Sequence, residues 1–327
     1  MKQAVLVFAI ALVITLAIGP AVINYLRKMK FGQKILEIGP KWHMNKQNIP
    51  TMGGFMFIIG IAAAVIIGNI VMGEISVSSL AVLGLAVAYG AVGLVDDYAK
   101  IKKKENAGLT PKQKLVLQIL VAGVFILVLF LGSSGLPQLW IPFTGISFSW
   151  PWPLYIVFAA FVIVGADNAV NLTDGIDGLC SCVTVVYMAA FACISGILGM
   201  YCETLLALLT SGGCIGFLMW NFPPAKVFMG DTGSLFLGGA VAGLAFACEM
   251  PLILLLVGLI YIIETLSVIL QVTYFKATHG KRLFKMAPIH HHFEMCGWGE
   301  KKIVLVFTGI TVVLCLLAYH VALAPLF

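Results

Sequence analysis

Ten long apolar runs alternate with short polar segments along the 327-residue chain. A helix needs about 20 mostly apolar residues to cross a bilayer, and the runs have this length. The pattern therefore predicts an all-α polytopic membrane protein with ten transmembrane helices. The predicted spans cover residues 4–26, 53–72, 79–95, 115–132, 153–170, 179–198, 204–221, 234–249, 252–275 and 303–323.

The polar segments are short, apart from the one between the fourth and fifth spans. There, residues 138–143 and 146–150 are rich in apolar and aromatic side chains and flank Thr144 and a glycine. Two such runs separated by a tight turn are typical of a β-hairpin. We expect a small hairpin at the periplasmic surface.

Composition agrees with the span pattern, since 61% of the residues are hydrophobic and only 10% are charged, against about 25% charged in soluble domains. Residues 1–327 are expected to form a single integral-membrane domain. The first span lacks an Ala-x-Ala-like cleavage site and is expected to be a retained helix rather than a signal peptide. The eight cysteines lie mostly within spans and are expected to be packing residues.

The basic residues predict how the chain is oriented. All the lysines and arginines except Lys2 fall in segments on one side of the ten-span arrangement. By the positive-inside rule this side is cytoplasmic, so both termini are expected on the periplasmic side. The net charge of +6 then reflects topology and attraction to anionic lipid and phosphate, and needs no nucleic-acid partner.

Two adjacent carboxylates, Asp96 and Asp97, follow the third span directly. Near the negative pole of a helix dipole this pair is unfavourable unless a cation compensates. A cation site is one explanation. A solvated helix end neutralised by Lys100 and the lysines at 102–104 is the other, and both remain open at this point.

A second acidic segment, residues 167–178, lies between the fifth and sixth spans and contains no basic residue. Its polar members are Asp167, Asn168, Asn171, Asp174 and Asp177. A carboxylate at membrane depth costs about 2.5–3.5 kcal/mol on insertion scales, so a partner is expected. Oxygen ligands without cysteine or histidine favour Mg²⁺ over Zn²⁺. A turn with side-chain caps is the simpler alternative.

Asp231 lies between two glycines at the start of the eighth span. It is either an N-cap or a metal ligand beside backbone amides that receive a diphosphate. Later in the same span, the Gly239-x-x-x-Gly243 motif predicts close helix packing. Glu264, inside the ninth span, is either functional or hydrogen-bonded to a neighbouring helix.

Three consecutive histidines, 290 to 292, follow a basic stretch in the last polar segment. Consecutive side chains cannot all face one ion in regular structure, which disfavours zinc. Imidazoles near lysines are better suited to hydrogen-bond phosphate oxygens or to relay a proton.

Three segments, NAVNLTDGIDG at 168–178, GDTGSL at 230–235 and PIHHHFE at 288–294, closely resemble the bacterial phospho-N-acetylmuramoyl-pentapeptide transferases. These belong to the polyprenyl-phosphate N-acetylhexosamine-1-phosphate transferase superfamily. PTMGG at 50–54 and DDY at 96–98 agree in order and topology, so the resemblance covers essentially the whole chain. One departure is visible, because Asn48-Ile49 stands where the family usually has Gly-Thr.

The resemblance implies a reaction. UDP-MurNAc-pentapeptide and undecaprenyl phosphate give lipid I and UMP, with Mg²⁺ as cofactor, in the first membrane step of peptidoglycan synthesis. It also implies a homodimer in the bacterial cytoplasmic membrane, with ten helices and an active site facing the cytoplasm. A related enzyme using UDP-GlcNAc is the alternative. A transporter is disfavoured because the acids lie on one face rather than at the midplane.

The resemblance also implies roles for individual residues. The catalytic set is Asp96, Asp97, Asp231 and His290, and the metal ligands are Asp231 and Asn171. The substrate-binding set is Lys46, Lys114, Asn171, Asp174, Asp177, Phe228, Gln271, His291 and His292. Phe228 would stack on uracil, and the three histidines and Lys114 would meet phosphates. One of the adjacent aspartates would deprotonate the lipid phosphate, or a covalent aspartyl-phosphate would form.

Overall fold

The structure is a computed structural model that describes residues 2–29, 46, 49–72, 76–103, 108–132, 137–144 and 146–323. Helices dominate this part of the chain. They are α1 (Lys2–Lys28), α2 (Phe55–Met72), α3 (Val77–Lys103), α4 (Pro111–Gly132), α5 (Trp152–Thr173), α6 (Leu179–Ile197), α7 (Tyr201–Asn221), α8 (Gly230–Ala247), α9 (Leu254–Val257), α10 (Leu259–Ala277), α11 (Ile289–Met295) and α12 (Glu300–Leu323). Two strands, β1 (Gln138–Trp140) and β2 (Ser147–Ser149), separate α4 from α5.

Eight of the described helices are long and apolar enough to cross a membrane, namely α1, α3, α4, α5, α6, α7, α10 and α12. The all-α polytopic class is therefore confirmed. In α2 the qualifying apolar stretch, Phe55–Ile67, is shorter, and α8 is not among the eight. Ten crossings, the periplasmic termini and the single domain stay predictions.

The central helix of the fold is α8, in which every residue from Thr232 to Ala247 is buried. Protein surrounds it on all sides, with α3 and α5 as its main neighbours. Small residues let α3 approach closely: a β-carbon at Gly239 would come within 2.8 Å of Cα of Ala86, and one at Gly243 within 2.8 Å of Val82. The close packing predicted from the glycine motif is confirmed.

This contact gives a stability prediction. Gly239→Ile forces a branched side chain against the backbone of α3, and overpacking of this kind costs about 1–3 kcal/mol or more. We expect a clear fall in Tm, measured by thermal unfolding in detergent. The matched control is Gly123→Ile on α4, where a β-carbon would meet nothing within 4 Å. An equal change in Tm for both variants would contradict the close α3–α8 contact.

The predicted ninth run, residues 252–275, is divided in the structure. A 3-10 turn at Pro251–Ile253 leads into the short α9, and α10 begins after Gly258. Gly258 has φ −97° and ψ 10°, which lies outside the helical range. Glycine costs about 1 kcal/mol relative to alanine inside a helix, so a break at this position is favoured locally. Hydrophobicity alone does not reveal such a break.

The strands β1 and β2 pair antiparallel, with Leu139 opposite Phe148 and Trp140 opposite Ser147. Leu139 and Trp140 are buried, so one face of this ribbon packs against the fold. The two strands lie where the hairpin was predicted. Its location at the periplasmic surface stays a prediction.

Candidate active site

Asp231, the second residue of α8, receives donors from three other helices. Nζ of Lys100 on α3 and Nζ of Lys114 on α4 each lie 3.0 Å from its Oδ2. Nδ2 of Asn171 on α5 donates to its Oδ1 at 3.0 Å. The C-terminal ends of α3 and α5 and the N-terminal ends of α4 and α8 therefore meet at one carboxylate.

Asp97 on α3 caps the first turn of α8. Its Oδ2 accepts hydrogen bonds from the backbone N–H of Thr232 at 2.9 Å and from the Thr232 hydroxyl at 2.8 Å. Its Oδ1 accepts from the backbone N–H of Asp231 at 3.2 Å. A carboxylate stabilises free N–H groups and the positive end of a helix dipole. The side chain that satisfies these N–H groups thus comes from another helix, whereas Asp231 itself was considered as the N-cap.

This cap predicts a difference between two substitutions. Asp97→Ala leaves two buried backbone N–H groups without an acceptor, and loss of a cap costs about 1–2 kcal/mol. Asp97→Asn keeps an oxygen that can accept from Thr232. The asparagine nitrogen cannot accept from the N–H of Asp231, so one of the two N–H groups stays unpaired. In thermal unfolding in detergent we expect the lowest Tm for the alanine variant and an intermediate Tm for the asparagine variant. Equal Tm values for both would rule out the capping role.

Asp96 belongs to the same cluster and also contacts the backbone just before α4. One of its oxygens lies 2.6 Å from Nζ of Lys100, and the other accepts from the backbone N–H of Leu109 at 2.8 Å. Lys103 donates to the carbonyl oxygen of Gly108 at 3.0 Å. One oxygen of Asp96 therefore faces the site, and the other holds Leu109 just before α4.

The carboxylates of Asp96, Asp97 and Asp231 each offer an oxygen within 4.8 Å of the others. An oxygen-only donor set suits a hard divalent cation, so these residues fit a Mg²⁺ site. The Asn171 amide turns its nitrogen toward Asp231 and its oxygen toward Lys114 at 3.4 Å. Its role as a metal ligand stays a prediction and would need the opposite amide orientation.

The loop after α5 carries Asp174 and Asp177. Asp177 accepts from the backbone N–H of Ala225 at 2.9 Å and pairs with Nζ of Lys46 at 2.7 Å. Lys46 also meets Glu300 at 2.6 Å. The structure therefore brings two of the predicted substrate-binding residues, Lys46 and Asp177, into direct contact, although 131 positions separate them in the sequence.

Asp174 lies half-buried at the end of α5. Burial, followed by the negative charge of Asp231 and Asp177, raises the pKa of the Asp174 carboxyl well above its ordinary value. A positive charge or hydrogen-bond donors close to Asp174 would stabilise the ionised form of its carboxyl. A ligand that brings such groups to Asp174 is therefore favoured.

The three histidines lie on the short helix α11, and each has a different partner. His290 is buried and pairs with Glu264 on α10. His291 meets Glu294 at 2.6 Å, and His292 accepts from the backbone N–H of Lys285 at 3.1 Å. The three rings therefore have different partners. Contacts of His291 and His292 with phosphate stay predictions, whereas the fully buried ring of His290 lies against Glu264 and Gly175 and is not placed to meet a phosphate.

Gln271 and Phe228 hold chain segments at the rim of the site. Oε1 of Gln271 accepts from the backbone N–H groups of Leu283 and Phe284 at 3.2 and 2.8 Å, which ties α10 to the stretch before α11. The Phe228 backbone pairs with Pro50 and Gly53, each at 2.8 Å, and its side chain is half-buried. Stacking of Phe228 on uracil and contact of Gln271 with the nucleoside stay predictions.

Some polar contacts of the site were not found by sequence reasoning. Lys100 was expected only as a counter-charge for a helix end, yet it contacts Asp231 as well; its spacing of four residues from Asp96 was the available signal. Asp167 lies on α5, one helical turn before Asn171. It is fully buried and accepts a hydrogen bond from Nε2 of Gln118 at 2.7 Å. Nothing in the sequence indicated that Gln118 is its partner.

Comparison with known proteins identifies the family. The glycosyl transferase family 4 model matches residues 79–249. The phospho-N-acetylmuramoyl-pentapeptide-transferase of Bacillus licheniformis is 44% identical over 324 residues, 98% of this chain and 99% of the relative. A protein of the same name from Listeria monocytogenes is 45% identical over 93% of this chain and 93% of the relative. Another from Clostridium perfringens is 47% identical over 96% of this chain and 97% of the relative. The chain belongs to glycosyl transferase family 4 and, within it, to the phospho-N-acetylmuramoyl-pentapeptide transferases.

Proposed function

We propose that the chain transfers phospho-MurNAc-pentapeptide from UDP-MurNAc-pentapeptide to undecaprenyl phosphate, giving lipid I and UMP. The observation that carries the proposal is the cluster of three aspartates, residues 96, 97 and 231, with two lysine ammonium groups beside Asp231. The cluster occurs in a chain that is 44% identical, over nearly its full length, to a phospho-N-acetylmuramoyl-pentapeptide-transferase.

The three carboxylates would hold Mg²⁺, which when bound supplies positive charge beside the diphosphate. Lys100 and Lys114 add two cations at the same place. Phosphoryl transfer is catalysed mainly by positioning the reactants and neutralising developing charge. The chain's own contribution is therefore a fixed arrangement of acids and lysines on three helix ends, those of α3, α4 and α8.

The proposed transfer forms one phosphorus–oxygen bond and breaks another, and both lie within the two substrates. An oxygen of the lipid phosphate attacks the phosphorus attached to the sugar, the bond from this phosphorus to the bridging oxygen breaks, and UMP leaves. Asp96 or Asp97 would accept the proton of the lipid phosphate. Asp97 already accepts three hydrogen bonds from α8, whereas Asp96 accepts one from Leu109 beside its Lys100 pair. This difference favours Asp96 as the base.

The nucleoside would bind beside the loop after α5, where Asp174 and Asp177 lie near Asn171. Phe228 would stack on the uracil ring, with Gln271 nearby, and His291 and His292 would face the phosphates. The ring of His290 is fully buried between Glu264 and Gly175, so it would lie behind the nucleoside site. Lys46 would contact the donor next to Asp177, because its Nζ lies 2.7 Å from Oδ1 of Asp177.

The surroundings of the site follow from the same proposal. By the positive-inside rule, the basic segments support a site on the cytoplasmic side of the bacterial cytoplasmic membrane, where the lipid tail of the acceptor would lie between helices. Membrane lipids are therefore partners, a homodimer is the proposed assembly, and no nucleic acid is involved.

The test compares two donors. The chain is reconstituted in vesicles that contain undecaprenyl phosphate and Mg²⁺, and it is given either UDP-MurNAc-pentapeptide or UDP-GlcNAc. Mass spectrometry of the lipid fraction is expected to show lipid I with the first donor and no new lipid with the second. A lipid product formed only from UDP-GlcNAc would replace the proposed donor, and none from either would refute transferase activity.

A further inference from the structure

A buried acid–imidazole pair joins α10 to α11 outside the aspartate cluster. Glu264 and His290 are both 0% exposed. Nδ1 of His290 lies 3.0 Å from Oε2 of Glu264, and the backbone N–H of His290 points at the same oxygen at 3.4 Å. A buried polar pair of this kind contributes little net stability compared with well-packed apolar side chains. Stability alone therefore does not account for an acid at this depth.

The other edge of the His290 ring rests on the loop after α5. Nε2 of His290 has no hydrogen-bond partner among the described residues, and a β-carbon at Gly175 would overlap this atom. Gly175 lies between Asp174 and Asp177. The imidazole thus forms the surface against which the backbone of this loop packs.

The far end of the same loop is fixed independently. Oδ2 of Asp177 accepts from Ala225 at 2.9 Å, and the backbone N–H of Gly178 donates to Oδ1 of Asn221 at 3.0 Å. The segment from α7 to α8 therefore holds the end of the loop, while His290 supports its beginning near Asp174.

We propose that Glu264 is a positioning residue for donor binding: it fixes the ring of His290, and this ring sets the position of the loop that carries Asp174 and Asp177. The inference rests on the proposed function. A carboxylate that bonds Nδ1–H selects the tautomer and orientation of an imidazole. Within the described parts of the chain the pair makes no hydrogen bond to Asp96, Asp97 or Asp231, so its effect falls on donor binding rather than on transfer.

The kinetic test uses Glu264→Leu and Glu264→Gln in the full chain. The leucine cannot accept from His290, and we expect KM for UDP-MurNAc-pentapeptide to rise about tenfold while kcat changes less than about threefold. Glutamine has the same shape and keeps an accepting oxygen, so its KM should stay within about threefold of wild type. The value of kcat is normalised to the amount of folded protein, on which KM does not depend.

The matched control is Glu203→Leu. Glu203 is another buried acid, which accepts from the hydroxyls of Ser76 and Ser78. Ser78 lies at the start of α3, about 27 Å along the helix axis from Asp96. This variant removes a buried carboxylate far from the donor loop and is expected to leave KM for the donor unchanged.

A spectroscopic readout tests the pair without turnover. In protein labelled with ¹⁵N-histidine, His290 is expected to show the Nδ1–H signature in wild type and in Glu264→Gln, and to lose it in Glu264→Leu. If wild type produces no UMP, the proposed function fails, yet this signal still decides whether Glu264 fixes the imidazole. An unchanged signal in Glu264→Leu would refute that part of the inference.

A second variant covers the case in which Glu264→Leu does not fold. Gly175→Ala places a methyl group against Nε2 of His290, displaces the loop while the pair stays intact, and should raise the donor KM in the same way. Gly196→Ala is its control, because the nearest atom to a β-carbon there is 3.7 Å away. A wild-type KM in Gly175→Ala, or a fall in kcat equal to the rise in KM, would overturn the positioning role.

Discussion

Asp231→Ala is expected to fold and to lose about 10³-fold in the rate of UMP release, since a metal ion at a phosphoryl site stabilises the transition state by several kcal/mol. The variant removes the carboxylate on which Lys100, Lys114 and Asn171 converge. Asp97 would still cap α8 through its bonds to Thr232, which is why folding should survive.

The matched control for this prediction is Glu249→Gln. Glu249 is an exposed acid just beyond the opposite end of α8, so the variant removes a negative charge far from the cluster. Its turnover should stay within about twofold of wild type. Wild-type turnover in Asp231→Ala would contradict the assignment of Asp231 as a metal ligand.

Lys114→Met is expected to lower kcat/KM about 10²-fold. The ammonium group of Lys114 joins Asp231 to Asn171, and removing one positioned charge-stabilising group at a reacting centre typically costs about 10²–10³ in rate. Steady-state kinetics with UDP-MurNAc-pentapeptide measure the effect.

Lys112→Met provides the comparison for Lys114. Lys112 is exposed and lies two residues earlier on α4, where side chains point away from the face that carries Lys114. Its kcat/KM should match wild type. A similar loss in both variants would mean that the general positive charge of this segment, rather than the Asp231 contact, is what matters.

The apolar runs located the long helices but made several of them too short at the end that carries the site. The third run stops at residue 95, whereas α3 continues to Lys103, and the eighth begins at 234, whereas α8 begins at Gly230. Hydrophobicity ends where side chains become polar. In the structure, the Asp96–Lys100 pair lies on the extra turns of α3, and the Asp97 cap supports the first turn of α8. The site residues are therefore carried on rigid helix ends.

The acidic segments could be selected from the sequence because charge is rare in such an apolar chain, whereas Lys114 and Lys46 were implied only by the family resemblance. The partners of these residues could not be selected in this way. Asp97 reaches an N–H group 134 positions away, and Glu264 meets His290 only because α11 folds back onto α10. Periodicity and composition carry no information about which distant helix supplies a cap or a buried acid. These pairings depend on the packed arrangement.

The most direct test of the account is UMP release from UDP-MurNAc-pentapeptide by the detergent-purified chain, measured with and without undecaprenyl phosphate and with and without Mg²⁺. We predict release only when both are present. Release that is equally fast without the lipid phosphate, or no release with both additions, would contradict the proposed transfer.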